Sequence, residues 1–180
     1  MNNTYIIGDS HVERMHDSVV DEKIKNLYFI SYDGKSGYGV KYDNLQLTEN
    51  DIIIVCFGYI DVKVKLPEFK NTSIAVKTYV DKTLNFFSNN QIIFTEPFPQ
   101  FIEKAGNGFP LYDIDLRYKY HTEYVNELNK YVGLSRRKTL SLSNIIGSDK
   151  LDSTYQYDVL DDHMKINLYS DLVHGILNKI

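Results

Sequence analysis

The sequence predicts an α/β fold: a mostly parallel five-stranded sheet between two layers of helices, a three-layer α/β/α sandwich. Two observations carry this expectation. Apolar runs of strand length alternate along the chain with segments whose apolar residues recur at helical spacing. The third run, Ile52-Ile53-Ile54-Val55-Cys56-Phe57, is unbroken, as suits a central strand covered on both faces. The 180 residues suffice for one full core, and no linker, repeat or low-complexity tract divides them. A single domain over residues 1–180 is therefore expected.

The elements follow in order. Tyr5-Ile6-Ile7 reads as a short buried strand ending at Gly8, and Val12, Met15 and Val19 place a helix from Ser10 onward. Leu27 to Ser31 is a second strand, followed by a turn-rich loop, Asp33 to Gly39, with three glycines. Asp51 to Phe57 is the third strand. Val76, Val80, Leu84 and Phe87 share one helical face. Gln91 to Thr95 is the fourth strand, stopped by Pro97 and Pro99. Phe98 to Ile114 is expected to be irregular, a functional or a mobile loop. Leu116, Tyr120, Tyr124, Leu128 and Tyr131 define a helix, Thr139 to Leu142 a short fifth strand, and Tyr169 to Ile180 a last helix.

Composition excludes several classes. Lys+Arg total 20 against 24 Asp+Glu, a net charge of -4, which argues against a surface built for nucleic acid or an anionic membrane. The lone Cys56 rules out an intrachain disulfide and a four-cysteine zinc module. The N-terminus lacks the pattern of a signal peptide, and the longest apolar run falls far short of the ~20 residues of a membrane helix, so the expected location is cytoplasmic. No nucleotide motif is present and no cofactor is expected. The sequence leaves the oligomeric state open. Fifteen Tyr and nine Phe, with no Trp, supply aromatic surface for a core or for a ligand cleft.

In parallel sheets ligands bind at the carboxyl ends of the strands. Ser10 falls there, where the first strand turns into the first helix. A hydroxyl at that point is exposed and sits in the positive end of the helix dipole, both helpful to a nucleophile. The competing reading is that Ser10 or Asp9 caps the helix, and position alone favours the cap. Near the C-terminus, His163 stands beside Asp161 and Asp162, with Asp158 further back. A histidine titrates near neutrality and can take a serine proton, and an acid can orient it. Taken alone, that segment reads first as a solvated acidic loop with a surface histidine.

The order of these blocks resembles the SGNH (GDSL-like) hydrolase superfamily, whose fold is a flavodoxin-like α/β/α sandwich. Ile6-Ile7-Gly8-Asp9-Ser10-His11 matches its strand followed by Gly-Asp-Ser. Ser36-Gly37 falls where the family has an oxyanion-hole glycine. Gly58-Tyr59-Ile60-Asp61 falls where it has Gly-x-Asn-Asp, and His163 where it has Asp-x-x-His. The resemblance implies an ester hydrolase with Ser10 as nucleophile and His163 as general base. Asp161 would be the supporting acid, ahead of Asp158 and Asp162. The N–H groups of Ser10 and Gly37 (or Gly39) would be oxyanion donors. Asp9, His11, Tyr38, Tyr59 and Asp61 are the candidate substrate-binding residues, with Tyr112 a further candidate for stacking on a sugar. The chain departs from the family at Ile60, which stands in place of a donating asparagine, and at Leu160, three residues before His163, where the acid is usual.

The implied substrate is a small-molecule or glycan ester carrying a short acyl group such as acetate. Lys104 and Arg117 could attract an acidic sugar or be solvated charges. Two other readings stand beside this one. An SGNH-fold protein with a lapsed site would be a glycan-binding module, and an acyl acceptor other than water would make an acyltransferase. Asp9-Ser10-His11 also resembles the Asp-x-His opening of calcineurin-like metallophosphatases, but that family's later Gly-Asp-x-x-Asp and Asn-His motifs are missing from the chain.

Overall fold

The structure is a computed structural model. It describes residues 2–43, 45–66, 71–101, 114–148, 150–151 and 164–180. The strands of the main sheet are β1 (Thr4–Gly8), β2 (Leu27–Ser31), β3 (Ile52–Cys56), β4 (Gln91–Thr95) and, after a two-residue strand β5 (Gln100–Phe101), β6 (Lys138–Leu140). They pair in the order β2-β1-β3-β4-β6, and every pairing is parallel. The expected sandwich is therefore present, with β1 and β3 at its centre. β5 pairs in parallel with β7 (Lys150–Leu151) in a separate two-stranded sheet that the sequence did not signal.

The alternation of side chains across β1, β3 and β4 builds two cores. Ile6, Ile54 and Ile93 face α1 (Ser10–Val19) and the C-terminal helix, Ile166–Leu177. From these helices come Val12, Met15 and Val19, and Tyr169, Leu172, Val173 and Ile176. Ile7, Ile53, Val55, Ile92 and Phe94 face α2 (Thr72–Phe86) and α3 (Ile114–Leu134), which bring Val76, Tyr79 and Val80, and Tyr124, Leu128 and Val132. The unbroken apolar run of β3 thus serves both faces at once, which is what a central parallel strand requires.

Two local features differ from the expectation. The strand expected over Thr139 to Leu142 ends at Leu140. Ser141 caps a short helix, α4 (Leu142–Ile146), its Oγ accepting the Asn144 N–H at 3.3 Å. The terminal helix, α5 (Ile166–Leu177), stops before Ile180. After β3 the chain turns at Gly58, with φ +118°, into a π-helical turn over Asp61–Lys65. A Cβ at Gly58 would also lie 3.0 Å from Pro97 Cβ and the Tyr124 ring, so this corner needs glycine for conformation and for space.

Candidate active site

Asp9, not Ser10, caps α1. Its Oδ1 accepts the His11 N–H at 3.1 Å and its carbonyl accepts the Val12 N–H at 2.9 Å. Ser10 is the first residue of the helix and is partly exposed at the carboxyl edge of β1. The corner is tied to the next strand, since the Tyr32 N–H donates to the Gly8 carbonyl at 2.7 Å and Ser31 Oγ to the Asp9 carbonyl at 3.1 Å. The serine therefore stands on braced backbone, in the field of a helix N-terminus, without having to serve as the cap.

The residues around it are mostly interior. Asp9 and His11 are each 1 % exposed, Tyr59 2 % and Asp61 0 %. Burial pushes the Asp9 carboxyl up to about 8, with the charges of Asp61 and Asp33 adding to it, so near neutrality Asp9 is largely protonated. Its Oδ2 finds no hydrogen-bond partner among the described residues. The His11 ring stacks on Phe98 (centroids 4.1 Å, 14°), meets Tyr59 edge-on (4.6 Å, 75°), and places Nδ1 2.5 Å from the Tyr169 hydroxyl. Tyr59 likewise packs in the core shared by α1 and α5. Of the five residues expected to meet substrate, Tyr38 alone is well exposed, at 41 %.

The loop after β2 also departs from expectation. The Gly37 N–H donates to Asp61 Oδ2 at 2.6 Å and the Tyr38 N–H to Asp61 Oδ1 at 3.2 Å. The Gly39 N–H is taken within the loop, by Ser36 Oγ at 2.9 Å and the Ser36 carbonyl at 3.1 Å. Both glycine amides considered as oxyanion donors thus already have acceptors. Gly37 itself is fitted closely, because a Cβ there would lie 3.0 Å from the Tyr79 ring. Burial raises the Asp61 carboxyl to about 6, and the two loop amides and the Ser36 hydroxyl work against that rise, so at neutral pH it is mainly a carboxylate.

Ile60, in the family's asparagine position, packs against the apolar core. Arg117 is buried at 4 % exposure, so it is not a solvated charge. His163, Asp161, Asp158, Asp162, Tyr112 and Lys104 lie outside the described residues. Among the described residues no group of three or more His, Cys, Asp and Glu is arranged to hold a metal ion, and no helix is long and apolar enough to cross a membrane. The hold of Asp61 on the loop, and the reach of Tyr169 to His11, have no local signal in the sequence. Both join residues distant in the chain through side-chain polar atoms.

No family model matches the chain, and no curated protein matches it by sequence. Solved structures do. A member of the lipolytic protein G-D-S-L family from Veillonella parvula aligns with TM-score 0.63 and 14 % identity, covering 99 % of this chain and 97 % of that one. A carbohydrate acetylesterase from Sinorhizobium meliloti gives TM-score 0.65, 12 % identity and coverage of 99 % and 98 %. A lipase/acylhydrolase from Enterococcus faecalis gives 0.65, 15 %, 100 % and 95 %. The chain has the fold of the SGNH/GDSL hydrolases over essentially its whole length.

Proposed function

We propose that this protein is a serine-dependent ester hydrolase with Ser10 as its nucleophile. One observation carries the reading: Ser10 is relieved of capping by Asp9 and stands at the N-terminus of α1, at the carboxyl edge of a central strand, in a fold shared with ester hydrolases. In the proposed reaction His163, supported by Asp161, takes the Ser10 proton as Oγ bonds to the ester carbonyl carbon. The C–O bond to the alcohol then breaks, and the alcohol leaves with that proton. Water, deprotonated by the same histidine, attacks the acyl-enzyme, releasing the acid and restoring Ser10. The substrate we favour is a short acyl ester, acetate first, on a sugar or other small alcohol. The exposed Tyr38 ring offers a stacking surface, and the Sinorhizobium meliloti neighbour is a carbohydrate acetylesterase.

The test is labelling with a fluorophosphonate probe, alongside acetate release from 4-nitrophenyl acetate. Wild type should label and release acetate, and Ser10→Ala should do neither. Because Ser10 is not the cap, the variant should keep its stability within ~0.5 kcal/mol, so its silence reports chemistry. A second reading, a glycan-binding module without catalysis, draws support from the occupied Gly37 and Gly39 amides and the apolar setting of Ile60. Failure of the wild type to label or to hydrolyse would favour it.

A further inference from the structure

We propose that Asp61 is a positioning residue: its carboxylate holds the backbone of the 36–38 loop, closes the Gly37 and Tyr38 amides to substrate, and thereby sets the Tyr38 ring as a fixed platform at the site. The inference rests on the ester-hydrolase reading for its enzymatic consequence but not for the contact itself. Two successive N–H groups converging on one carboxylate form a small anion-binding concavity, and here the anion belongs to the protein. Asp61 is wholly buried, at the start of a π-helical turn that follows the central strand, so it cannot withdraw without opening that turn.

The other side of Tyr38 is held as well. Lys82 Nζ, from α2, donates to the Tyr38 carbonyl at 2.6 Å and lies 5.5 Å from the centre of its ring. Tyr38 therefore has its N–H fixed by Asp61 and its carbonyl fixed by Lys82, while its ring stays exposed. Tyr38 lines a cavity of about 220 Å³ together with Asp61, Lys65, Asn71 and the apolar Leu66, Ile74 and Ala75. An aromatic face beside the Asn71 amide and the Lys65 ammonium, with Asp61 held behind the loop, is chemistry that meets a single sugar-sized ring. Preset backbone means that little ordering entropy is lost when such a ring binds.

The groups that face Asp61 from neighbouring elements decide how it titrates. Asp9 lies at the end of β1, with Asp33 acting on Asp9 in turn. Ser36, Gly37 and Tyr38 lie on the loop, Tyr79 on α2 and Tyr124 on α3, while Lys63 and Lys65 share its own turn. Tyr79 and Tyr124 hydroxyls keep their protons well above the usual tyrosine range, so Asp9 is the neighbour whose charge changes near neutrality.

The experiment has two arms. By NMR, the Gly37 and Tyr38 amide signals of the wild type should move with pH in step with the Asp61 side-chain carboxyl carbon, and in Asp61→Asn they should not follow that titration. With 4-nitrophenyl acetate, Asp61→Asn should lower kcat/KM at least tenfold while keeping fluorophosphonate labelling at Ser10. Asp61→Ala, which loses both acceptor oxygens, should fall further than Asn. Amides in the wild type that ignore the Asp61 titration would overturn the proposal whatever the enzyme does. So would wild-type kcat/KM in a folded Asp61→Asn protein. If the wild type shows no esterase activity, the hydrolase reading falls, and the NMR arm still decides the loop contact.

Discussion

The Nδ1 of His11 and the hydroxyl of Tyr169 lie 2.5 Å apart in the interior, joining the first helix to the last across 158 positions of sequence. The same hydroxyl accepts the Met164 N–H at 3.4 Å, so one phenol links the residue after Ser10 to the residue after His163. Tyr169→Phe keeps the ring and removes the link, leaving a buried imidazole nitrogen without that partner. A loss of about 1–3 kcal/mol in urea unfolding is expected, well beyond that of an exposed tyrosine such as Tyr28→Phe. Equal stability of the two variants would show that the contact contributes nothing.

The two raised carboxyls predict an unusual pH dependence of stability. In the unfolded chain both titrate near 3.8, whereas in the fold Asp61 does so at about 6 and Asp9 at about 8. Between those limits the native state binds more protons than the unfolded one, so stability falls as pH rises. Their contribution is complete below about pH 4 and fades as pH passes through 6 for Asp61 and through 8 for Asp9. Asp9→Asn mimics the protonated side chain. Its Tm relative to wild type should climb steadily from pH 5 to pH 8.5, and a constant difference across that range would contradict the assignment.

The corner that carries Ser10 tolerates no added carbon. A Cβ on Gly8 would sit 2.2 Å from the Cys56 carbonyl oxygen and 2.6 Å from Val12 Cγ2. Backbone cannot give way there without parting β1 from β3, which pair at Gly8 and Cys56. Gly8→Ala should therefore cost more than the ~1–3 kcal/mol of ordinary overpacking, and circular dichroism melting should show a large drop in Tm or an unfolded chain. Alanine at Gly133, where a Cβ meets nothing, is the matched control.

The sheet was legible because its evidence is local and repeated. Ile-Ile-Ile-Val-Cys-Phe cannot be solvated on either face, and Gly8 at the end of β1 and Gly58 shortly after β3 mark where the chain turns. Short-range competition explains the misplaced boundary at Leu140: a serine followed by three residues able to wind ended the strand early. Asp61-Val62-Lys63-Val64-Lys65 alternates with the period of a strand and yet winds as a π-turn, because Asp61, Val62, Lys63 and Val64 are all drawn inside. Motif order brought Ser10 and the loop glycines to the correct sheet edge. It could not tell which amide meets which oxygen, since the Gly37–Asp61 bond is made by tertiary packing over 24 positions. The tyrosines illustrate the same limit: Tyr59 and Tyr38 look alike in sequence, but one packs in the core and the other stands exposed.

Cys56 ends β3 with 1 % exposure, and burial pushes its thiol up to about 12. A thiol that neither ionises nor meets solvent does not react with oxidants or alkylating agents while the sheet is closed. The one thiol of the folded protein is accordingly shielded from thiol oxidants. With no other cysteine in the chain, the rate at which a thiol reagent captures this one in native buffer is a clock for the opening of the central strand, which leads through Gly58 into the turn that begins at Asp61.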